Sequence, residues 1–320
     1  MTPDAVVPDA VTPDALPPDA GTLTVIVVTY NTRDLALAVL GDIGTELTPY
    51  PGSEIVVVDN ASRDGTAEAI ASAFPAVRLD ASPTNLGFAA AVNRGLAGSA
   101  ARWLLLVNPD TRIDAGSLAT LVETARARPG HGLYGGRFVD VGRATGEDSV
   151  AVVPSVGQLL AYACGADTLA RRLGWRSAPR RAAAATQPTT VDALPGTFLL
   201  IEADAWRDVG GFDTRYFMYS EDLDLSLRVG KTGRRPLYVP AAVVRHLGGA
   251  SSSSGAKEVM KLTSLVTLLR SQWPPARARL GEVLLLAGVS LRRLARIRAH
   301  TPEGRWETAW RERRRWRSGW

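Results

Sequence analysis

The 320 residues are 46% hydrophobic and 22% charged, enough apolar material for one sizeable core and unlike a fibrous or unstructured chain. A single cysteine excludes an internal disulfide framework, fits a reducing compartment, and with only three histidines excludes a Cys/His zinc cluster. The net charge of +5 is unevenly placed: residues 1–20 carry four Asp and no Lys or Arg, whereas residues 256–320 carry fifteen Lys or Arg against five Glu.

Residues 3–20 repeat Pro-Asp-Ala every five positions. Acidic, Pro-rich and poor in apolar surface, residues 1–21 read as a disordered leader. No basic start with a following apolar run marks a secretory signal, and no run approaches the roughly 20 apolar residues of a spanning helix. Order is expected from Thr22. Leu23 to Val28 is a β-rich apolar run suited to a strand buried on both faces. A helix follows near 34–47, with Asn31 or Thr32 as its cap. Glu54 to Val58 is a second buried strand, leading to a helix near 63–73 and a short strand near 76–79. Asn85-Leu86-Gly87-Phe88 opens a helix near 88–98, and Trp103 to Val107 is a further strand. Strands alternating with helices in this way predict an α/β fold with a doubly wound, mostly parallel sheet, whose ligands sit beyond the carboxyl ends of the strands. Polar residues stand at those ends: Thr29 and Asn31, Asp59 and Asn60, Asn108 and Asp110. Each alone is also a common turn former or helix cap; three strands ending alike point to a shared pocket.

Residues 141–190 resist patterning, and 181–190 reads as a linker or loop. Regularity returns at Pro195 to Ile201, followed by a helix near 203–209 that ends at Gly210-Gly211. Leu237 to Val239 and Ala242 to Val244 read as two closing strands, the second reaching His246.

Three features carry chemistry. Asp110 follows a buried strand and a proline, so its carboxylate is held at the sheet edge and suits a hard cation such as Mg²⁺ or Mn²⁺; the competing reading is a plain Asn-Pro-Asp-Thr turn. Ser220-Glu221-Asp222-Leu223-Asp224 is equally a helix start, with Ser220 as cap and acids complementing the helix dipole, or a crowded acidic set in which one proton affinity is raised toward that of a general base. His246 precedes a Gly/Ser-rich stretch. It is either an ordinary surface histidine or a metal ligand beneath a closing loop.

Thr29-Tyr30-Asn31, Val57-Val58-Asp59-Asn60-Ala61-Ser62, Asn85-Leu86-Gly87-Phe88-Ala89 with Asn93, Asn108-Pro109-Asp110 and Tyr219 to Asp224 stand in the order seen in family 2 inverting glycosyltransferases, which the chain resembles over residues 22–250. Within that family it is most similar to bacterial rhamnosyltransferases. The resemblance implies a GT-A fold over 22–255. It implies that Thr29, Asn31, Asp59, Asn60, Gly87, Asn93 and Asn108 bind a nucleotide sugar, and that Asp110 and His246 hold Mg²⁺ or Mn²⁺. Asp222 would be the base, with Glu221, Asp224, Gly196 and Thr197 supporting it or the acceptor. Asn108 stands where the family often has the first acid of its Asp-x-Asp motif. The implied donor is dTDP-β-L-rhamnose and the implied acceptor a lipid-linked or cell-wall glycan, at the cytoplasmic face of the membrane. Another nucleotide sugar (a UDP-hexose or a galactofuranose donor) and a non-catalytic nucleotide-binding scaffold are the alternatives.

Residues 256–320 form a basic helical extension. Val259, Leu262, Leu265 and Val266 share one face; Pro274-Pro275 breaks the pattern; a second helix is expected near 277–298. Trp306, Trp310, Trp316 and Trp320 among arginines suit an anionic membrane surface, the alternative being packing on the catalytic domain or on a second subunit of a homo-oligomer. Nucleic acid is not expected, since the catalytic part lacks a basic face.

Overall fold

The computed structural model describes residues 21–140, 149–172, 182–247, 254–298 and 304–320. The Pro-Asp-Ala leader, parts of the unread 141–190 stretch and most of the Gly/Ser run after His246 lie outside the described residues.

Strands β1 (Leu23–Thr29), β2 (Glu54–Asp59), β3 (Arg78–Ala81) and β4 (Trp103–Val107) pair in parallel in the order β3-β2-β1-β4. Their alternation explains why both faces are apolar. Leu23, Val25, Val27, Val57 and Leu105 join one core layer with helices α1 (Arg33–Leu47), α2 (Thr66–Ala73) and α4 (Ser117–Ala127). Ile26, Val56, Val58 and Leu104 join the other, with α3 (Phe88–Leu96), α7 (Ala203–Val209) and α8 (Glu221–Lys231). Truncating a fully buried residue such as Leu105 to Ala would cost about 2–5 kcal/mol. The doubly wound expectation holds.

Residues 111–140, which periodicity leaves unassigned, supply β5 (Thr111–Ile113), α4 and β6 (Leu133–Asp140). With β8 (Phe198–Glu202) and β9 (Leu237–His246) they extend the sheet as β4-β8-β6-β9-β5, β8 running antiparallel to both its neighbours. The two closing strands expected at 237–239 and 242–244 are one strand, β9. Its register against β6 jumps from Gly136↔Val239 to Arg137↔Val243, because Pro240 has no N–H to give the ladder. The expected linker is packed over its described residues: Ala183 is buried, and β7 (Thr189–Thr190) pairs with β9.

Helix caps also depart from expectation. Thr32 occupies the cap position of α1 without a side-chain capping bond, and Asp64 Oδ2 accepts from the Arg33 N–H instead (3.1 Å). Ser220 at the start of α8 makes no capping bond either and holds a left-handed φ of 62°.

The C-terminal segment folds as α9 (Ser254–Gln272), α10 (Pro275–Arg298), α11 (Arg305–Arg311) and α12 (Arg313–Ser318), with Pro275 at the first turn of α10 where its missing N–H costs nothing. Together with α5 (Val156–Cys164), which is followed by α6 (Ala166–Arg172), these helices enclose a third core of Val259, Leu262, Val266, Leu269, Leu285 and Val289. Trp306 and Trp316 are buried in it, and the Trp316 indole N–H donates to the Ala309 carbonyl (2.7 Å). Two of the four tryptophans are therefore internal, whereas Trp320 and the arginines Arg305, Arg311, Arg314, Arg315 and Arg317 are exposed. Arg292 stacks on Tyr162 at 3.8 Å and pairs with Asp167, and Arg293 pairs with Glu307. These two buried tryptophans do not face an interface, because a helix pair this short needs them to close its own core. No described helix is long and apolar enough to cross a membrane.

Candidate active site

The ends of β1, β2 and β4 and the start of α3 surround a chamber of about 490 Å³ lined by Thr29, Asn31, Asn60, Asn85, Asn108 and Asp110. Its loops are cross-tied. Asp59 Oδ1 accepts from Thr29 Oγ1 (2.7 Å) and Ser62 Oγ (2.6 Å), and Oδ2 accepts from the Ser62 N–H (2.9 Å). Asn31 Oδ1 accepts from the Arg63 N–H (2.8 Å). The Asn60 amide donates to the Gly87 carbonyl (3.0 Å) and accepts from the Leu86 N–H (3.2 Å). Asn31 and Ala61 hold left-handed φ of 52° and 64° in these turns, a conformation that persists only where the surroundings over-determine it.

Three residues expected to touch nucleotide have other engagements. Asp59 is 2% exposed, and its carboxylate braces the loops that form the wall. Gly87 has φ +81°, and a Cβ there would meet the Phe217 carbonyl at 2.4 Å, so the close approach that requires glycine is made by protein backbone. Asn93 lies outside this chamber: its amide donates to the Phe212 carbonyl (2.8 Å) and accepts from the Phe212 N–H (2.9 Å), which uses both ends of the side chain to fix the turn after α7.

Asp110 and His246 do come together. β5 pairs antiparallel with β9 so that Thr111 faces His246, and the Leu247 N–H donates to the Asp110 carbonyl (2.9 Å). Asp110 Oδ2 lies 3.1 Å from His246 Nε2, while Asp110 Oδ1 is buried without a hydrogen-bond partner. An orphaned carboxylate oxygen beside an imidazole is a donor set that fits Mn²⁺ or Mg²⁺. Among the described residues no group of three or more His, Cys, Asp and Glu converges, so the rest of such a shell would be water or substrate oxygen.

A second chamber of about 610 Å³ adjoins the first, and Phe88, Asn108 and Met218 line both. Asp222, Glu221, Gly196 and Thr197 stand in its wall. The Asn108 N–H donates to the Thr197 carbonyl (3.0 Å), which ties β4's end to the turn before β8. Asp222 Oδ2 accepts from the Gly196 N–H (3.0 Å) and Oδ1 from the Leu223 N–H (2.8 Å). Burial pushes the Asp222 carboxyl above the usual range, and these N–H donors pull the other way. Glu221, 6% exposed with Oε2 unpartnered, is pushed well above its ordinary value by burial first and by Asp222 second. Tyr219 and Ser220 deliver both acids from left-handed backbone, φ 71° and 62°. Asp224 points elsewhere. It is 1% exposed, pairs with Arg228 (2.6 Å) and accepts from Gln272 (2.7 Å), anchoring α8 to α9.

Met218 at the junction, and Val152 and Lys261 in the second chamber, carry no sequence signal of their own. Phe88 stands inside a recognisable run; these reach the site through tertiary packing.

The glycosyl transferase family 2 model matches residues 24–158, and the model of glycosyl transferase family group 2 matches residues 103–320. The chain is 34% identical over 240 residues, 70% of its length and 75% of the relative's, to an N-acetylglucosaminyl-diphospho-decaprenol L-rhamnosyltransferase of Mycobacterium tuberculosis. It is 49% identical over 53 residues, 17% of its length and 20% of the relative's, to the rhamnosyltransferase WbbL of Escherichia coli. A mannosyltransferase from Pyrobaculum calidifontis, solved with GDP-Man and Mn²⁺, superposes with a TM-score of 0.56 at 20% identity, covering 94% of this chain and 87% of that one.

Proposed function

The chain belongs to glycosyl transferase family 2, with a GT-A fold, and is a glycosyltransferase; from that premise we propose that it transfers L-rhamnose from dTDP-β-L-rhamnose to a hydroxyl of a sugar on a lipid diphosphate, with inversion. The observation that carries this reading is the meeting of two chambers at Phe88, Asn108 and Met218, with Asp110 in one and Asp222 in the other. The choice of rhamnose and of a lipid diphosphate rests on the mycobacterial relative, whose name states both.

Nucleoside and diphosphate occupy the chamber of Thr29, Asn31, Asn60 and Asp110. The acceptor sugar occupies the chamber of Asp222. Asp222 takes the proton of the acceptor hydroxyl as that oxygen attacks the anomeric carbon from the face opposite the diphosphate. The bond from the anomeric carbon to the diphosphate oxygen breaks, and its electron pair leaves on the diphosphate. The raised proton affinity of Asp222 improves it as a base at neutral pH, while the Gly196 and Leu223 N–H groups hold its two oxygens in position. Burial favours the protonated form of Glu221, which in that form offers a donor to an acceptor oxygen. A divalent cation held by Asp110 and His246 would supply positive charge against that building on the departing diphosphate.

A donor screen tests the reading: dTDP-rhamnose against UDP- and GDP-sugars, with Mn²⁺ or Mg²⁺, in wild type and Asp110→Ala. Metal-stimulated binding should be strongest for dTDP-rhamnose and lost in the variant. Preference for a UDP-hexose or galactofuranose donor would replace the sugar assignment, and binding without turnover on any acceptor would favour the scaffold reading.

An anionic membrane surface at the inner face remains the proposed station, now on different residues. Leu280, Val283, Leu291 and Leu294 are exposed, and their spacing puts them on one face of α10, flanked by Arg277 and Arg279. Val283→Asp with Leu294→Asp should abolish flotation with anionic vesicles and leave donor binding intact; unchanged flotation would defeat this. A shift of the wild type to a dimer in sedimentation, abolished by the same pair, would assign the stripe to a homo-oligomer.

A further inference from the structure

A third cavity opens off the chamber of Asp222. It holds about 270 Å³ between α5 and α9, and Val152, Lys261 and Leu265 belong to both spaces. Past that junction Pro154, Leu159, Leu262 and Leu285 form most of its wall, with Gln158 among them. Leu159, Leu262 and Leu285 belong to the core of the helical extension, so the walls are fixed by packing. Lys261 stands at the doorway, its Nζ 5.6 Å from the centre of the Tyr219 ring, one residue before Ser220 and two before Glu221. Glu258 lies toward the far end, where Tyr162 and Glu258 are shared with a chamber lined by Arg292, Arg296 and Arg305.

From inside outward the order is a carboxylate base, a polar chamber of sugar size, a lysine and then an apolar groove. That is the order of parts in a sugar joined through a diphosphate to a hydrocarbon. We infer that the α5–α9 groove takes the hydrocarbon segment nearest the diphosphate of a lipid-linked acceptor, and that Lys261 meets the diphosphate. The inference rests on the acceptor reading given above and adds a site to it. The volume admits a short segment, so a long lipid would leave most of its chain outside. The helical extension thereby gains a role: it completes the acceptor site with residues the catalytic sheet does not supply. Lys261 and Val152 are positioned to set acceptor affinity and touch neither the donor chamber nor Asp110.

Binding to the full chain in EDTA, without donor, tests the groove directly. The probes are farnesyl diphosphate, inorganic diphosphate and farnesol, and EDTA removes any metal that would draw a diphosphate to Asp110. Farnesyl diphosphate should bind at least about ten-fold tighter than either fragment, because the two contacts are linked. Val152→Asp, at a position 46% exposed, should weaken farnesyl diphosphate and leave inorganic diphosphate unchanged. Lys261→Gln, also at an exposed position, should weaken both diphosphates by about two- to five-fold. Farnesyl diphosphate bound no tighter than inorganic diphosphate, or indifferent to Val152→Asp, would overturn the inference. Transfer to a lipid-free acceptor in a protein that ignores the probe counts against the groove alone. Probe binding in a protein that transfers no sugar counts against the proposed reaction and leaves the groove standing.

Discussion

The chamber of Thr29, Asn31 and Asp110 is made chiefly of turns that follow parallel strands, whereas the chamber of Asp222 adds to Phe88 and Asn108 four distant stretches: residues 151–152, 195–197, 218–223 and 261–265. In the first, the carboxylate of Asp59 and the amide of Asn60 are already satisfied by neighbouring loops. In the second, Glu221 is buried with an oxygen unpartnered and Asp222 is held above its ordinary proton affinity. The turns around the first chamber are cross-tied before anything binds; each chamber still keeps one carboxylate oxygen in reserve, Asp110 Oδ1 in the first and Glu221 Oε2 in the second. Such a division suits a nucleotide with fixed parts on one side and an acceptor that must surrender a proton on the other.

Substitutions on either side can break this contrast. Asp222→Asn should lower kcat by about 10²- to 10⁴-fold with donor affinity unchanged, measured by turnover alongside nucleotide titration. A matching loss of donor binding would merge the two chambers functionally. The acid limb of the wild-type kcat profile should lie above the ordinary carboxylate range, since burial raises the Asp222 pKa and protonation removes the base. Asp59→Ala should act on the opposite side. It strands the hydroxyls of Thr29 and Ser62, costs about 1–3 kcal/mol of stability, and weakens donor more than acceptor. Denaturant melts and separate KM values for the two substrates check this.

Glu221→Gln should have the smallest effect and a definite sign. The folded-state pKa of Glu221 is raised, so its contribution is most favourable at low pH, where it is protonated folded or unfolded, and is lost as pH rises toward the folded value. Replacing it with the neutral isostere should therefore raise Tm at pH 8, with the gap closing as pH falls into the ordinary carboxyl range. A gap that widens on acidification would mean that Glu221 is ionised in the native protein.

The same contrast explains what the amino-acid sequence discloses. Leu23 to Thr29, Glu54 to Asp59 and Trp103 to Val107 announce themselves as buried strands, and the polar residues that end them are local, so most of the lining of the Asp110 chamber is legible in the sequence. Asp222 is legible through its acidic neighbours. Lys261 and Val152 are not, because nothing near them in the chain marks a site. β5 is three residues long and exists through its pairing with β9, so the meeting of Asp110 with His246 could be anticipated only from the family resemblance. The caps show the limit of local reasoning as well: Asp64, thirty-one positions from Arg33, does what Thr32 was suited to do. In the C-terminal helices, composition supports both an interface and a core for tryptophan. Burial decides for the core at Trp306 and Trp316, while Trp320 stays exposed, and that division is a fact of tertiary packing.

Gly87 has a consequence for how the halves communicate. The Phe88 N–H donates to the Phe217 carbonyl at 2.7 Å, and the missing side chain at 87 is what lets these two peptides touch. The loop that opens α3 beside the Asp110 chamber and the loop carrying Met218 and Tyr219 into the wall of the Asp222 chamber are thus riveted at this point. Prising that rivet apart with one methyl group, as Gly87→Ala would, moves both loops together, so neither chamber's mouth is mechanically private.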